Sequence, residues 1–156
     1  MKAIIGAAVI SVSFYFMGRK VTEQDRTAVK QLSEVLKLLR HIKDGISLSL
    51  TPLPDIYESF ECNESCMTDF ISQLKKRGLV YALDGLVLPH DALPPLREMA
   101  YALGRSDREN QCEKLEGTIG ILERIYEEFK QVEQQKSKSI QALFSLAGAV
   151  AVILMF

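Results

Sequence analysis

Apolar residues recur at steps of three and four along the middle of the chain, which is the spacing that places them on one face of a helix. The clearest stripe comprises Leu32, Val35, Leu36, Leu39, Ile42 and Ile46. The charged residues between them are expected on the other sides of this first helix; they are Glu34, Lys37, Arg40 and Lys43. Gly45 is placed to end or loosen the helix, because glycine is a poor helix former.

Two shorter helices are indicated next by their start and stop signals. Thr51 followed by Pro52 is typical of an N-cap with proline in the first turn, and it predicts a short helix through Phe60. A third helix is expected from about Asn63 to Arg77, and Gly78 is placed to close it in a left-handed conformation. Its apolar stripe is Met67, Phe70, Ile71 and Leu74.

The segment from Leu79 to Leu88 allows two interpretations. Asp84-Gly85 lies between apolar runs, which is typical of a β-hairpin. An isolated hairpin is only marginally stable, and no other strand is indicated nearby. We therefore predict turns that link helices.

A fourth helix and a long fifth one follow. The fourth ends at Leu103-Gly104, and prolines mark its start at Pro89, Pro94 and Pro95. Ser106 and Glu109 have the spacing of a capping box, with serine at the N-cap. The long helix that it opens has no proline before the chain end, so we expect one continuous helix. Its apolar stripe is Leu115, Ile119, Leu122, Ile125, Tyr126, Phe129 and Val132.

Two segments near the ends of the chain are uncharged and apolar. The segments Ala3–Met17 and Ile140–Phe156 would span about 22 and 25 Å as helices, and basic residues adjoin both on the inner side. We predict an all-α protein, an antiparallel bundle of about five to six helices flanked by N- and C-terminal transmembrane helices. The expected domains are an anchor at 1–18, a cytoplasmic bundle at 19–139 and a second membrane helix at 140–156. A cleaved signal peptide is the alternative for the first segment.

The composition excludes several classes of partner and cofactor. A net charge of −1 gives no basic footprint for nucleic acid. The three cysteines, Cys62, Cys66 and Cys112, are too few for a disulfide framework, and free thiols are expected. A zinc site would need His41 or His90 as well, and these are scattered, so no metal and no cofactor are predicted.

No arrangement typical of an enzyme is present in the sequence. The phosphate-binding loop, the nucleophile elbow and the zinc-binding histidine pair are all missing. His90-Asp91 is the nearest approach to a polarised imidazole, but neighbouring residues on a helix point about 100° apart. We predict a protein without catalytic residues. A cysteine-based redox sensor stays open as a minor alternative.

Four sequence elements carry a resemblance to a known family. They are the N-terminal anchor, Thr51-Pro52-Leu53-Pro54, the block from Leu103 to Gln111 continuing to Glu116, and the C-terminal anchor that Leu143-Phe144-Ser145-Leu146 introduces. In this order they resemble the stage III sporulation protein AB family of endospore-forming bacteria, over essentially the whole chain. Ala147 departs from the glycine expected after Ser-Leu.

The resemblance implies a non-catalytic scaffold, similar to the inner-membrane platform proteins of type II secretion and type IV pilus systems. Such a protein would lie in the forespore membrane with its soluble domain on the mother-cell side. Its expected partners are sporulation channel membrane proteins and a cytoplasmic secretion-type ATPase; a homo-oligomer is a further option. The candidate partner-binding residues are Thr51, Pro52, Leu53, Pro54, Arg105, Asp107, Arg108 and Gln111. The alternative function is a secreted or surface-tethered helical interaction module with a cleaved N-terminal signal.

Overall fold

The computed structural model describes residues 24–49, 51–62 and 64–153, and in these ranges it contains helices and no strand. Helix α1 spans residues 24–44 and continues as a π-helical turn at Gly45–Ser49. Helices α2 to α6 follow at Leu53–Ser59, Thr68–Arg77, Leu79–Ala82, Leu93–Ala102 and Arg108–Ile153. Short 3-10 turns lie at Ser65–Met67, Leu83–Gly85 and His90–Ala92. The predicted all-α class and the number of helices are confirmed.

The chain divides into two compact units. One, the middle unit, comprises Thr27–Phe129, and the other, the terminal unit, comprises Met1–Arg26 with Lys130–Phe156. In the terminal unit, Arg26 pairs with Glu133 at 3.0 Å and Lys136 pairs with Asp25 at 3.2 Å. The predicted domain boundaries at residues 18 and 139 stay predictions, and the first lies outside the described residues.

The predicted membrane helices are not confirmed. The segment Ala3–Met17 lies outside the described residues, as do the last three residues of the second segment. Within the described part of the chain, no helix combines the length and the hydropathy that a membrane crossing requires. Helix α6 does run without interruption to Ile153, as the absence of proline predicts.

The core of the middle unit surrounds α1. All six residues of its predicted stripe are buried, and Leu38 is fully buried beside them. The antiparallel arrangement is visible in two ion pairs with α6, Arg40–Glu123 at 2.5 Å and Lys43–Glu116 at 3.2 Å, because the later residue of α1 meets the earlier residue of α6. The other helices contribute Ile56, Met67, Leu74, Leu83, Leu96 and Leu122 to the same core.

Glu34, which the sequence places on a different side of α1 from the apolar stripe, is only 7% exposed. Its side chain accepts hydrogen bonds from the Lys37 ammonium at 2.5 Å and from the Cys62 thiol at 3.2 Å. A buried carboxylate needs such partners, because an unpaired one would lose its hydration without compensation. The spacing of the apolar residues does not predict that a charged residue between them is buried.

Several start and stop signals behave as expected. Gly78 ends α3 with φ of 83°, and its N–H donates to the Leu74 carbonyl at 2.9 Å. The segment after it forms the short helix α4 and a 3-10 turn, so no hairpin forms up to Gly85, and the predicted turns include one helix of four residues. Gly45 changes the helix to a π-helical turn, which fits the prediction that it loosens α1.

The two predicted N-caps are both wrong. Pro52 occupies the N-cap position of α2, and no side chain caps that helix, so Thr51 does not fill the role. At the start of α6, Asp107 takes the position before Arg108, and its carboxylate accepts a long hydrogen bond from the Asn110 N–H at 3.5 Å. The Ser106 hydroxyl is buried and has no partner among the described residues. The chain enters α6 one residue later than the capping box requires.

Candidate functional site

An open groove of about 420 Å³ brings together two distant parts of the sequence. One wall comes from the turn before α2 and from its first residues, and the other comes from the junction between α5 and α6. The lining residues are Ile46, Thr51, Leu53, Pro54, Gly104, Arg108 and Gln111. Five of the eight candidate partner-binding residues therefore share one groove.

The α2 wall is rigid because proline fixes its backbone. Pro52 precedes the helix at φ of −59°, and its carbonyl accepts from the Asp55 and Ile56 N–H groups at 3.0 and 3.2 Å. Pro54 is the second residue of the helix, where its missing N–H costs no hydrogen bond. Pro54 is exposed and Leu53 is half-buried, so this wall presents apolar surface to solvent.

The junction wall depends on a left-handed glycine. Gly104 has φ of 77°, which residues with a side chain adopt only with strain. A Cβ atom there would lie 3.4 Å from Leu53 Cδ1, so a side chain at this position would touch the α2 wall. Gly104 thus serves the turn and also leaves room for the approach of Leu53.

Gln111 holds the junction in shape. Its Nε2 donates to the Ser106 carbonyl at 2.5 Å, and its Oε1 accepts from the Gly104 N–H at 3.3 Å. One amide side chain therefore ties α6 to two backbone groups of the preceding turn. This placement gives Gln111 a structural role in ordering the helix junction, and partner binding by Gln111 stays a prediction.

Arg108 spans the groove to the end of α1. Its guanidinium donates a hydrogen bond to the Ser47 carbonyl, which lies in the π-helical turn. A guanidinium has five N–H donors, and this bond uses one of them. Arg108 is exposed, so the remaining donors can reach a partner.

Three candidate residues do not line the groove. Pro52 and Asp107 are exposed beside it, and Arg105 lines a different cleft together with Tyr81 and Tyr101. The Asp107 carboxylate accepts from the Asn110 side-chain amide at 2.5 Å, and this hydrogen bond lowers the pKa of Asp107 below its ordinary value of 3.8. Asp107 therefore has a structural role at the start of α6.

A polar cluster in the core has no counterpart in the sequence predictions. Burial raises the pKa of the Cys62 thiol above 9.0, and the hydrogen bond to Glu34 adds to the shift. A separate hydrogen bond, from the Lys37 ammonium to Glu34, raises the pKa of Lys37 above 10.5. The raised pKa of Cys62 favours the neutral thiol, which is a weaker nucleophile than the thiolate. Cys66 and Cys112 are also free and half-buried.

The geometry at His90 corrects one prediction. Its ring lies 3.5 Å from the Asp91 carboxylate, whereas their side chains were expected to point apart. The two belong to a 3-10 turn and are 98% and 88% exposed, so solvent surrounds the pair. In the portion of the chain that the structure covers, no group of three or more histidine, cysteine or acidic residues could hold a metal ion.

The sequence was compared with models of known protein families. The sequence model for stage III sporulation protein AB matches residues 3–80 and 81–156, which is nearly the whole chain. The chain belongs to the stage III sporulation protein AB family. Neither the search of curated proteins nor that of solved structures found a match. In this family member, the Thr51–Pro54 element and the block from Leu103 to Gln111 meet in one groove.

Proposed function

We propose that this member of the stage III sporulation protein AB family is a non-catalytic membrane platform of the apparatus that connects mother cell and forespore. It would link a cytoplasmic secretion-type ATPase to membrane channel components, with its helical domain on the mother-cell side. Family membership supports a role in sporulation. The resemblance to type II secretion platform proteins, together with the two apolar ends, supports the finer assignment.

The observation that carries the proposal is the groove. It joins the Thr51–Pro54 element to the block from Leu103 to Gln111 (the junction block), although nearly half of the middle unit's sequence lies between them. Its walls are apolar, and Arg108 adds hydrogen-bond donors at one end. A surface of this kind suits docking of a protein segment, since apolar contact and a few directed polar groups are what such sites combine.

The test compares two matched prolines. Pro54 and Pro94 are each the exposed second residue of a helix, but only Pro54 lines the groove. Glutamate is tolerated in the first turn of a helix, so Pro54→Glu and Pro94→Glu should both fold. We expect Pro54→Glu alone to lower the count of heat-resistant spores and the recovery of the ATPase with the purified full chain. Equal results for the two variants would contradict a docking role for the groove.

Sidedness is tested separately with a membrane-impermeant maleimide on sporulating cells. The native cysteines are half-buried, so a cysteine replaces Asp84, whose side chain is 64% exposed. We expect labelling only after permeabilisation, together with resistance to carbonate extraction. Labelling of intact cells would place the domain outside and favour the secreted interaction module instead.

A further inference from the structure

The middle unit has a second cleft that the groove does not include. It measures about 410 Å³ and lies between α4 and the end of α5. Its lining residues are Val80, Tyr81, Asp84, Ala100, Tyr101, Leu103 and Arg105. We call it the tyrosine cleft.

Two aromatic side chains are left in solvent at this cleft. Tyr81 is 61% exposed and Tyr101 is 54% exposed, among the most exposed large apolar residues that the structure describes. Tyrosine is enriched at protein interfaces, because its rigid ring supplies contact area at low cost in side-chain entropy. Val80 and Leu103 are half-buried beside the rings and provide an apolar base.

Of the two charged residues that line the cleft, Asp84 forms an ion pair within the described part of the chain and Arg105 does not. Asp84 is neutralised by Arg97, whose guanidinium lies 2.8 Å from its carboxylate. Arg105 is exposed and has no ion-pair partner within the described ranges, and its backbone N–H is fixed by a hydrogen bond to the Ala102 carbonyl at 3.2 Å. The cleft therefore presents one positive charge that has no ion-pair partner within the described ranges, carried by a residue whose backbone is fixed.

A neighbouring groove shares Tyr81 and Asp84 with the cleft, but its other charged residues do not favour a partner of either charge. It contains Asp69 and Arg77, whose formal charges cancel. Arg105 is thus the group that decides the sign of a partner. A guanidinium binds a carboxylate through two parallel hydrogen bonds, which gives both affinity and orientation.

We propose that the tyrosine cleft is a docking site for an acidic segment of a partner protein, which places a carboxylate on Arg105 and an aliphatic side chain between Tyr81 and Tyr101. A peptide suits the site better than an anionic lipid surface, because the cleft is concave and Asp84 lies within it. This docking is independent of the groove, so it stands whether or not Pro54→Glu alters sporulation.

The experiment measures fluorescence anisotropy of two labelled peptides with the purified full chain. One peptide alternates glutamate and leucine, and the other alternates lysine and leucine. We expect the acidic peptide to bind more tightly, and Arg105→Glu to weaken its binding at least about tenfold, since a charge-assisted pair is lost. Tyr101→Ser should weaken it as well, whereas Tyr101→Phe keeps the ring and should bind like the wild type.

The matched control is Arg124→Glu, which makes the same change of charge at an exposed residue of α6 outside the cleft. We expect it to leave the affinity within about twofold of wild type. Equal losses for Arg105→Glu and Arg124→Glu, or no preference for the acidic peptide, would overturn the proposal. A third arm uses phosphatidylcholine vesicles with and without phosphatidylglycerol. Binding to the anionic vesicles that Arg105→Glu and Tyr101→Ser abolish would assign the cleft to a lipid surface instead.

Discussion

The interior around α1 and the junction between α5 and α6 are stabilised in different ways. Around α1, Leu38 and Leu39 are adjacent in sequence and both fully buried, so the helix is covered over a wide arc. At the junction, hydrogen bonds from Gln111 and Arg108 to backbone groups hold a turn whose residues are mostly exposed. Burial of apolar area dominates the first region, and directed polar contacts define the second.

This difference shows what the polar block after Leu103 does. Apart from the buried Ser106 hydroxyl, which has no partner among the described residues, its polar side chains bond to backbone or neighbouring side chains or face solvent. They build the turn that brings Gly104 against Leu53. A segment rich in polar residues can therefore be specific for shape, and its effect on function is expected through the groove that it forms.

The largest effect is expected in the interior. Leu39→Ala removes a fully buried side chain and leaves a cavity, so the free energy of unfolding should fall by about 2–5 kcal/mol. Ile121→Ala on α6 is the control, since Ile121 is 48% exposed and its loss should matter by no more than about 0.5 kcal/mol. Urea unfolding of the full chain, followed by circular dichroism, measures both. Similar losses would mean that α1 is not the centre of the core.

The junction should respond to its glycine. Gly104→Ala places a side chain at φ of 77° and should lower the free energy of unfolding by about 1–2 kcal/mol. Gly85→Ala serves as the control, because no atom lies within 4 Å of its added Cβ and its φ is not positive. Its stability should be unchanged or slightly higher. If Gly104→Ala were equally harmless in the unfolding measurement, the left-handed turn would not be required.

The two regions should also differ in their response to pH. The folded-state pKa of Cys62 is raised above 9.0, so its contribution to stability is complete below pH 9 and is lost as the pH rises through the folded value. The pKa of Asp107 is lowered below 3.8, so its contribution is present above that pH and is lost as the pH falls through the folded value.

Melting temperatures across the pH range separate these contributions. Cys62→Ser should flatten the loss of stability that begins above pH 9, while Lys37 and Tyr57 act only from their ordinary values of 10.5 and 10.0 upward. Asp107→Asn should flatten the acid side and leave the alkaline side as it is. A Cys62→Ser variant with the wild-type alkaline profile would show that burial of this thiol does not affect its titration.

The smallest effect is expected at Ser106. A capping serine replaced by alanine typically costs about 1 kcal/mol. Because the Ser106 hydroxyl is buried without a partner among the residues described, Ser106→Ala should instead change stability by no more than about 0.5 kcal/mol, or increase it. The same urea unfolding measurement distinguishes these two outcomes. A loss of about 1 kcal/mol would show that Ser106 caps α6 after all.

Local signals predict most helices of the middle unit. Gly78 and Gly104 end helices because left-handed turns favour glycine, and the period of the α1 stripe reports which face is covered. The burial of Glu34 is not predicted, since it depends on neighbours far along the chain. Cys62 and Glu34 are 28 residues apart, and their contact exists only after the helices pack.

The candidate groove is predictable only in part. Family resemblance singles out the Thr51–Pro54 element and the junction block, but nothing in the sequence indicates that they face each other. The sequence singles out Arg105 but does not indicate the tyrosine cleft around it, because Tyr81 and Tyr101 look like ordinary members of apolar helices. Their exposure becomes visible only when the core is already filled by other residues.

The π-helical turn at the end of α1 links two positions that are otherwise independent. A Cβ atom on Gly45 would lie 2.7 Å from Ile56 Cδ1, and Ile56 is 1% exposed, so its side chain has little room to retreat. Substitutions at the two positions should therefore be strongly non-additive. Natural variation that introduces a larger residue at position 45 should be accompanied by a smaller one at position 56, so that the summed side-chain volume of the two positions stays nearly constant.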